Sequence, residues 1–360
     1  MSSFSSQRAR NVRAFQRPAL FLVCTAVLIL LPFVYPPFRV FQFSLAIVLA
    51  LAALGLNLLT GYTGQISLGH SAFFAVGAYT AAIVVTSNSV GYLLALPIAA
   101  AVCFAVGAVV GLPALRLSGG YLGLVTLALA VVTPPLIKRF SVTGGSNGIV
   151  IKSIKAPTWT GLGGDQWLYF VSLTVTAACF LLARNLTTGR IGRAMMAVKD
   201  NETAATVIGI ELARIKVLTF AISAMLAGIA GVLYAFTVSF VSPESFDLLL
   251  AISFLAAIVV GGLGTIAGAV FGGIFIAYVP IFSSNINPAL GGVIYGAALL
   301  LFMFVLPGGI ASLPSRAREL VRRNTNERGN GDAVRISTKT GFPTGADPLG
   351  QLSNSPDKSS

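Results

Sequence analysis

Residues 186–216 read LTTGRIGRAMMAVKDNETAATVIGIELARIK, a charged segment set between two long apolar runs. Two short helix patterns lie within it. In the first, Ile191, Ala194, Met195 and Val198 share a face, with Arg190, Arg193 and Lys199 mostly off it. In the second, Asp200 or Asn201 can cap an N-terminus, Glu202 suits the first turn, and Gly209 supplies a stop. That leaves about two turns of helix with Ala204, Val207 and Ile208 on one side. A helix so short is marginal alone in water and needs a surface to pack on, which we expect to be another protein.

A plain basic loop obeying the positive-inside rule accounts for the charges alone. The residues themselves carry more. Glu202-Thr203-Ala204-Ala205-x-x-x-Gly209 resembles the E-A-A-x-x-x-G coupling segment of ABC importer permeases, which docks in a groove of the ATPase subunit. The whole run is similar, more narrowly, to permeases of branched-chain amino-acid ABC importers, the LivM-type subunit of the LivH/LivM family. The resemblance covers residues 19–313.

Composition frames this reading. Of 360 residues 56% are hydrophobic and 10% charged, with mean hydropathy +0.86. Soluble domains carry about 25% charged residues, so the pattern is that of a multispan membrane protein. Acidic residues are absent before Asp165, and five of the eleven follow Leu313. The net charge of +13 therefore belongs to loops and tails, where basic residues set orientation and meet anionic lipid rather than nucleic acid. Cys24, Cys103 and Cys179 fall in apolar runs with no metal-ligand spacing, so no metal site is expected.

In order, residues 1–18 hold Arg8, Arg10, Arg13 and Arg17 and no acid, which places the N-terminus in the cytoplasm. Ala19–Tyr35 reads as a retained span, because Pro32, Pro36 and Pro37 stand where a signal peptide would need small residues. Further apolar runs are Val40–Leu59, Ser71–Val85, Tyr92–Leu112, Tyr121–Ile137 and Trp167–Ala183. Val217–Phe240, Leu248–Gly262, Ile266–Phe282 and Gly291–Leu306 follow. At about 20 residues per crossing this gives an all-α polytopic protein of about ten spans. Both termini and residues 186–216 then face the cytoplasm, in keeping with Arg316, Arg318, Arg322 and Arg323. Lys138, Arg139, Lys152 and Lys155 fall outside, on long-loop ground where the charge rule is weak. The outer loop Phe140–Asp165 is rich in Gly, Ser and Thr, with Trp159 and Trp167 as interface anchors. Residues 314–360 form a cytoplasmic tail, read from Asn324 onward as disordered.

Two glycine-rich stretches interrupt the apolar pattern. The first contains Gly55, Asn57, Thr60, Gly61, Gly64, Gln65, Ser67, Gly69 and His70 and continues to Gly77 and Tyr79. Polar backbone of this kind survives in hydrocarbon only where it is buried in protein or lines a watery cavity. A water-satisfied turn at the cytoplasmic end of the second span competes with a broken or pore-lining helix. His70 reads as a structural hydrogen-bond partner. The second stretch contains Gly261, Gly262, Gly264, Gly268 and Gly272. The last three, four apart, are expected to form a smooth helix ridge for tight packing. It follows Ser242-Pro243-Glu244-Ser245-Phe246, and the family has a similar pair of segments. Leu68-Gly69 with Gly77 echoes Leu263-Gly264 with Gly272, a faint internal repeat.

Absences separate the function classes. No Gly-Lys pair exists to build a phosphate-cradling loop, and the spans hold almost no ionisable group for proton or sodium coupling. No nucleophile–base cluster suggests an enzyme. A passive channel suits uncharged polar lining, but the capped cytoplasmic helices argue against it. The resemblance implies a translocation subunit of an inner-membrane importer working by alternating access. It implies a second permease subunit, two ATPase subunits that hold ATP and Mg, and an extracytoplasmic binding protein. No cofactor is expected on this chain. The solute implied is leucine, isoleucine or valine, with urea, amides or other amino acids as alternatives. Arg193, Asp200, Asn201, Glu202, Ala204, Ala205 and Gly209 are the expected coupling residues. The polar and glycine positions just quoted are expected in the path or in helix packing.

Overall fold

Hydrocarbon offers a peptide group no partner but another peptide group, so long apolar runs fold as helices. The computed structural model describes residues 25–312, except 88–90, 116–119, 153, 287–289 and 306–307. The arginines before residue 18, Cys24 and everything beyond Ser312 lie outside the described residues.

Helix α1 spans Thr25–Val34, α2 Pro37–Leu56, α3 His70–Ser87, α4 Tyr92–Ala114, α5 Gly120–Arg139 and α6 Gly164–Thr188. The short α7 (Arg190–Asp200) and α8 (Glu202–Val207) precede α9 (Leu212–Val238), α10 (Leu248–Gly261), α11 (Ile266–Ile286) and α12 (Gly291–Val305). Among the described residues six helices are long and apolar enough to cross a membrane, and α1, α3, α10 and α12 are shorter apolar helices. Hydroxyl side chains inside them turn back on their own backbone. Ser44, Thr80, Thr133, Thr219 and Ser253 each donate to the carbonyl four residues earlier, which removes the cost of placing them in an apolar setting.

Helices α2 and α9 form the centre. Their apolar windows are 78% and 72% buried, against 22% and 28% for α4 and α5, which face outward. Around α9 pack α2, α3 and α4; α2 also meets α6 and α11, and α10 and α12 lie against α11. Without a hydrophobic drive between helices, close backbone approach supplies the attraction. A Cβ at Gly77 would overlap the backbone of Gly228 on α9, and one at Gly228 would overlap Cys103 Sγ on α4. Gly273 of α11 meets the backbone of Ala50 on α2 in the same way.

The loop Phe140–Asp165, expected to face outward, is more ordered than its composition predicts. Three 3-10 turns lie within it, and β1 (Ile149–Val150) pairs antiparallel with β2 (Phe240–Val241), Ile149 opposite Val241. Pro243–Phe246 is a 3-10 turn, capped by Ser242, that drives Phe246 fully into the core. There its ring stands 5.9 Å from Phe74 and from Tyr79 and 6.1 Å from Tyr234. Asp247 then caps α10 by accepting from Leu250 N. Trp167, expected as an interface anchor, donates from Nε1 to Tyr92 OH at 2.9 Å.

Candidate translocation and coupling site

At the end of the bundle that carries α7 and α8, both glycine-rich stretches break their helices, and the two breaks touch. Helix α2 relaxes into a π-helical turn over Asn57–Tyr62, and residues 64–69 leave helical geometry altogether. π-turns inside helices recur at functional sites. Several of the polar groups released here find protein partners, while Gln65 Oε1 is buried with none among the described residues. Gln65 N bonds Leu59 O at 3.3 Å, Thr60 Oγ1 donates to Gln65 O at 3.0 Å, and Thr63 Oγ1 donates to Leu59 O at 2.6 Å. Leu68 N donates to Thr126 Oγ1 of α5, and Gly69 lies against Thr126 O, where a Cβ would stand 2.8 Å away. Ser67 Oγ accepts from Gly69 N. The stretch is thus a broken helix bonded in large part to its own protein. Gly64 and Ile66 are its exposed points.

His70 opens α3 fully buried, its ring edge-on to Phe254 with centroids 5.9 Å apart. Its Nε2 lies 2.9 Å from Ala52 O, and a carbonyl only accepts, so Nε2 carries the proton. Gly55 leaves room for that ring, and Ser223 Oγ donates to Gly55 O at 2.7 Å, tying α2 to α9.

The second break, Gly262–Thr265, corrects the expected ridge. Gly264 has φ +72° and precedes α11, which begins at Ile266, so it stands in a turn rather than on a helix face. Only Gly268 and Gly272 remain in the ridge, packed against Gly262 O and Ala257 O; Gly261 faces Gly268 from α10. Gly264 is occupied otherwise. Asn57, with no exposed surface, accepts from Gly264 N at 2.8 Å and donates to Thr265 O at 2.7 Å. One amide side chain therefore satisfies both faces of the second break. Gly61, beside it, has no space for a Cβ between Asn57 Oδ1 and Gly264 N.

The charged arm sits against this pair. In α7, Met195 and Val198 are buried, Ile191 and Ala194 are half-buried, and Arg193 and Asp200 are exposed, as the periodicity predicts. Asn201, one of the two residues offered as a cap, accepts from Ala204 N at 3.0 Å. Glu202 binds the Lys216 ammonium at 2.7 Å; the lysine side chain is 8% exposed, so the pair anchors α8 to the foot of α9. Ala205 alone of α8 is buried. Gly209 closes the arm at φ +83°, with Ile210 N reaching back to Ala205 O at 3.0 Å in a Schellman arrangement. Val207 and Ile208 are left 83% and 71% exposed, and Ala204 beside them is exposed too.

Gly209→Val places a β-branched side chain at positive φ, which costs of order 1–3 kcal/mol. Nothing lies within 4 Å of a Cβ there, so the strain is conformational only. The expected result is faster hydrogen exchange at the Ile210 amide with unchanged exchange in α9; equal exchange at Ile210 would contradict this.

A cavity of about 420 Å³ lies elsewhere, among α1, α2, α6 and α11, lined by residues such as Leu31, Phe43, Leu173 and Ile274. It is too apolar to recognise a zwitterion. Among the described residues no cluster could hold a metal ion.

Comparison with known proteins adds to this geometry. Residues 39–303 match the family described as "Branched-chain amino acid transport system / permease component". The chain belongs to this permease family. The permease is 32% identical to the high-affinity branched-chain amino acid transport system permease protein LivM of Escherichia coli, over 86% of this chain and 78% of that one. It is 27% identical to LivH of the same organism, over 74% of this chain and 91% of the relative. The autoinducer 2 import system permease protein LsrC of Klebsiella pneumoniae is 27% identical over 61% of this chain and 68% of the relative. No solved structure gives a significant match. The permease is thus a transport subunit, an all-α multi-pass protein of the inner membrane.

Of the residues predicted from the sequence, Asn57, Gly61, Gly64, Gly262 and Gly264 come together at the touching breaks. Gly77 sits apart, at the α3–α9 crossing. Lys199, Lys216, Thr126 and Thr265 were not singled out. Lys216 was open to discovery: a lysine opening an apolar run needs a nearby acid. The others depend on partners about 58 to 208 positions away.

Proposed function

We propose that the permease carries branched-chain amino acids across the inner membrane as the translocation subunit of an ATP-driven importer. Partner ATPase subunits would grip the arm 201–210. The observation carrying this is the pair Val207 and Ile208, apolar and almost fully exposed on a helix held rigidly from behind by Asn201, Ala205 and the Glu202–Lys216 pair. Exposed apolar side chains on a short, anchored helix outside the apolar bundle suit a helix-in-groove contact. A cleft lined by Arg190, Ile191, Gly209, Ile210, Glu211 and Arg214 adjoins it. The partner subunits would hold ATP and Mg; a second permease and an extracytoplasmic binding protein complete the assembly proposed, with both termini cytoplasmic. Leucine, isoleucine and valine are favoured as solutes because the LivM relative at 32% identity exceeds the LsrC relative at 27%.

The double variant Val207→Asp/Ile208→Asp tests the reading. Neither side chain supports the fold, so the permease should reach the membrane in normal amount. Loss of both anchors should cost the ATPase contact at least about 2 kcal/mol, the scale of interface hot spots. Co-purification of the ATPase subunit and leucine uptake are then both expected to fall more than about tenfold. Undiminished co-purification would sink the proposal.

A further inference from the structure

Lys199 is the residue through which the arm touches the broken helices. It sits on the exposed side of α7, yet its Nζ donates to Gly61 O at 2.7 Å across 138 positions of sequence. Two glycines flank its course. A Cβ on Gly64, at φ +72°, would stand 3.3 Å from Lys199 Cγ, and one on Gly264 would stand 3.9 Å from Nζ. Gly61 O is a carbonyl in the last turn of the α2 π-segment, where intrahelical donors run out. Gly264 of the second break, three residues beyond the end of α10 at Gly261, lies against the same carbonyl. The partial negative charge at this helix end favours a cation. Among the described residues Lys199 forms no ion pair; its ammonium is committed to the carbonyl.

From Gly61 the linkage continues without a gap. Asn57, in the same π-turn, holds Gly264 N and Thr265 O, one residue ahead of α11. α7, both breaks and the start of α11 are therefore joined by three hydrogen bonds of 2.7–2.8 Å. A displacement of α7 larger than the lysine stem can follow must either break the Lys199 bond or carry Gly61 with it.

We propose that Lys199 is a positioning residue for transport, transmitting movement of the ATPase-bound arm to the paired breaks at Asn57–Gly64 and Gly262–Thr265. This rests on the docking reading above but concerns a different contact, because the Lys199 ammonium reaches in to Gly61 O while Val207 and Ile208 are exposed. The test uses the proposed importer, reconstituted whole in proteoliposomes, and reads ATPase co-purification, ATP hydrolysis and leucine uptake together. Lys199→Met keeps the aliphatic stem and removes the donor. The expected result is normal co-purification, continued hydrolysis and uptake per ATP reduced about tenfold, inside the 5–150-fold span of coupling between sites. Lys199→Arg, which still donates, should restore most of the ratio. Gly64→Ala, which keeps the lysine but crowds its stem, should lower the ratio in the same direction. An unchanged ratio in both Lys199→Met and Gly64→Ala overturns the proposal. So does loss of the ATPase subunit from Lys199→Met, since the lysine would then only support docking, and so does failure of Lys199→Arg to restore the ratio. Val207→Asp/Ile208→Asp that still retains the ATPase would instead refute the docking reading.

Discussion

Asn57→Leu is expected to lose leucine uptake and thermal stability together. The substitution nearly preserves volume, so packing alone predicts a small effect. The hydrogen bonds decide otherwise. Gly264 N and Thr265 O would be left unpaired beside a leucine with no water to replace the amide. A typical polar contact between membrane helices contributes only about 0.6 kcal/mol, because the separated helices satisfy themselves. Here the groups belong to a break and lack helical partners, so the orphan cost of about 1–3 kcal/mol each applies instead. The apparent melting temperature in detergent should drop by about 5 °C or more, with uptake near background. A variant that melts with the parent and transports normally would show that Asn57 does not bridge the breaks.

Gly77→Leu is expected to prevent accumulation of folded permease. A helical glycine costs about 1 kcal/mol relative to alanine, so propensity favours any replacement. Sterics oppose it more strongly. A Cβ at Gly77 falls on the Gly228 backbone, and Gly228 is itself pressed on Cys103 Sγ, so α9 cannot retreat without displacing α4. Overpacking that flexible side chains could absorb costs about 1–3 kcal/mol; backbone against backbone exceeds that. Gly77→Ala should already broaden the size-exclusion peak, and Gly77→Leu should leave almost no monodisperse protein. A sharp peak for Gly77→Leu at the parent's yield would refute the α3–α9 crossing.

The amino-acid sequence by itself determined the class of this protein. Apolar runs, the near absence of ionisable groups within them and the charged island at 186–216 dictate a helical membrane bundle, because continuous apolar runs of about 20 residues satisfy their backbone in hydrocarbon as helices. Periodicity also placed the buried face of α7, and local chemistry placed the Asn201 cap and the Gly209 stop, since each depends on neighbours within a few residues. What tertiary structure decided was the meaning of the two glycine stretches. Four-residue spacing put Gly264 on a ridge with Gly268 and Gly272, but α11 starts later, and Gly264 is a turn held by Asn57. Nor could spacing reveal that Lys199 reaches Gly61, or that 242–246 buries Phe246 between α3 and α9. The partners in those contacts are far apart in the chain, and lone polar groups in an apolar interior find each other only once the helices have packed.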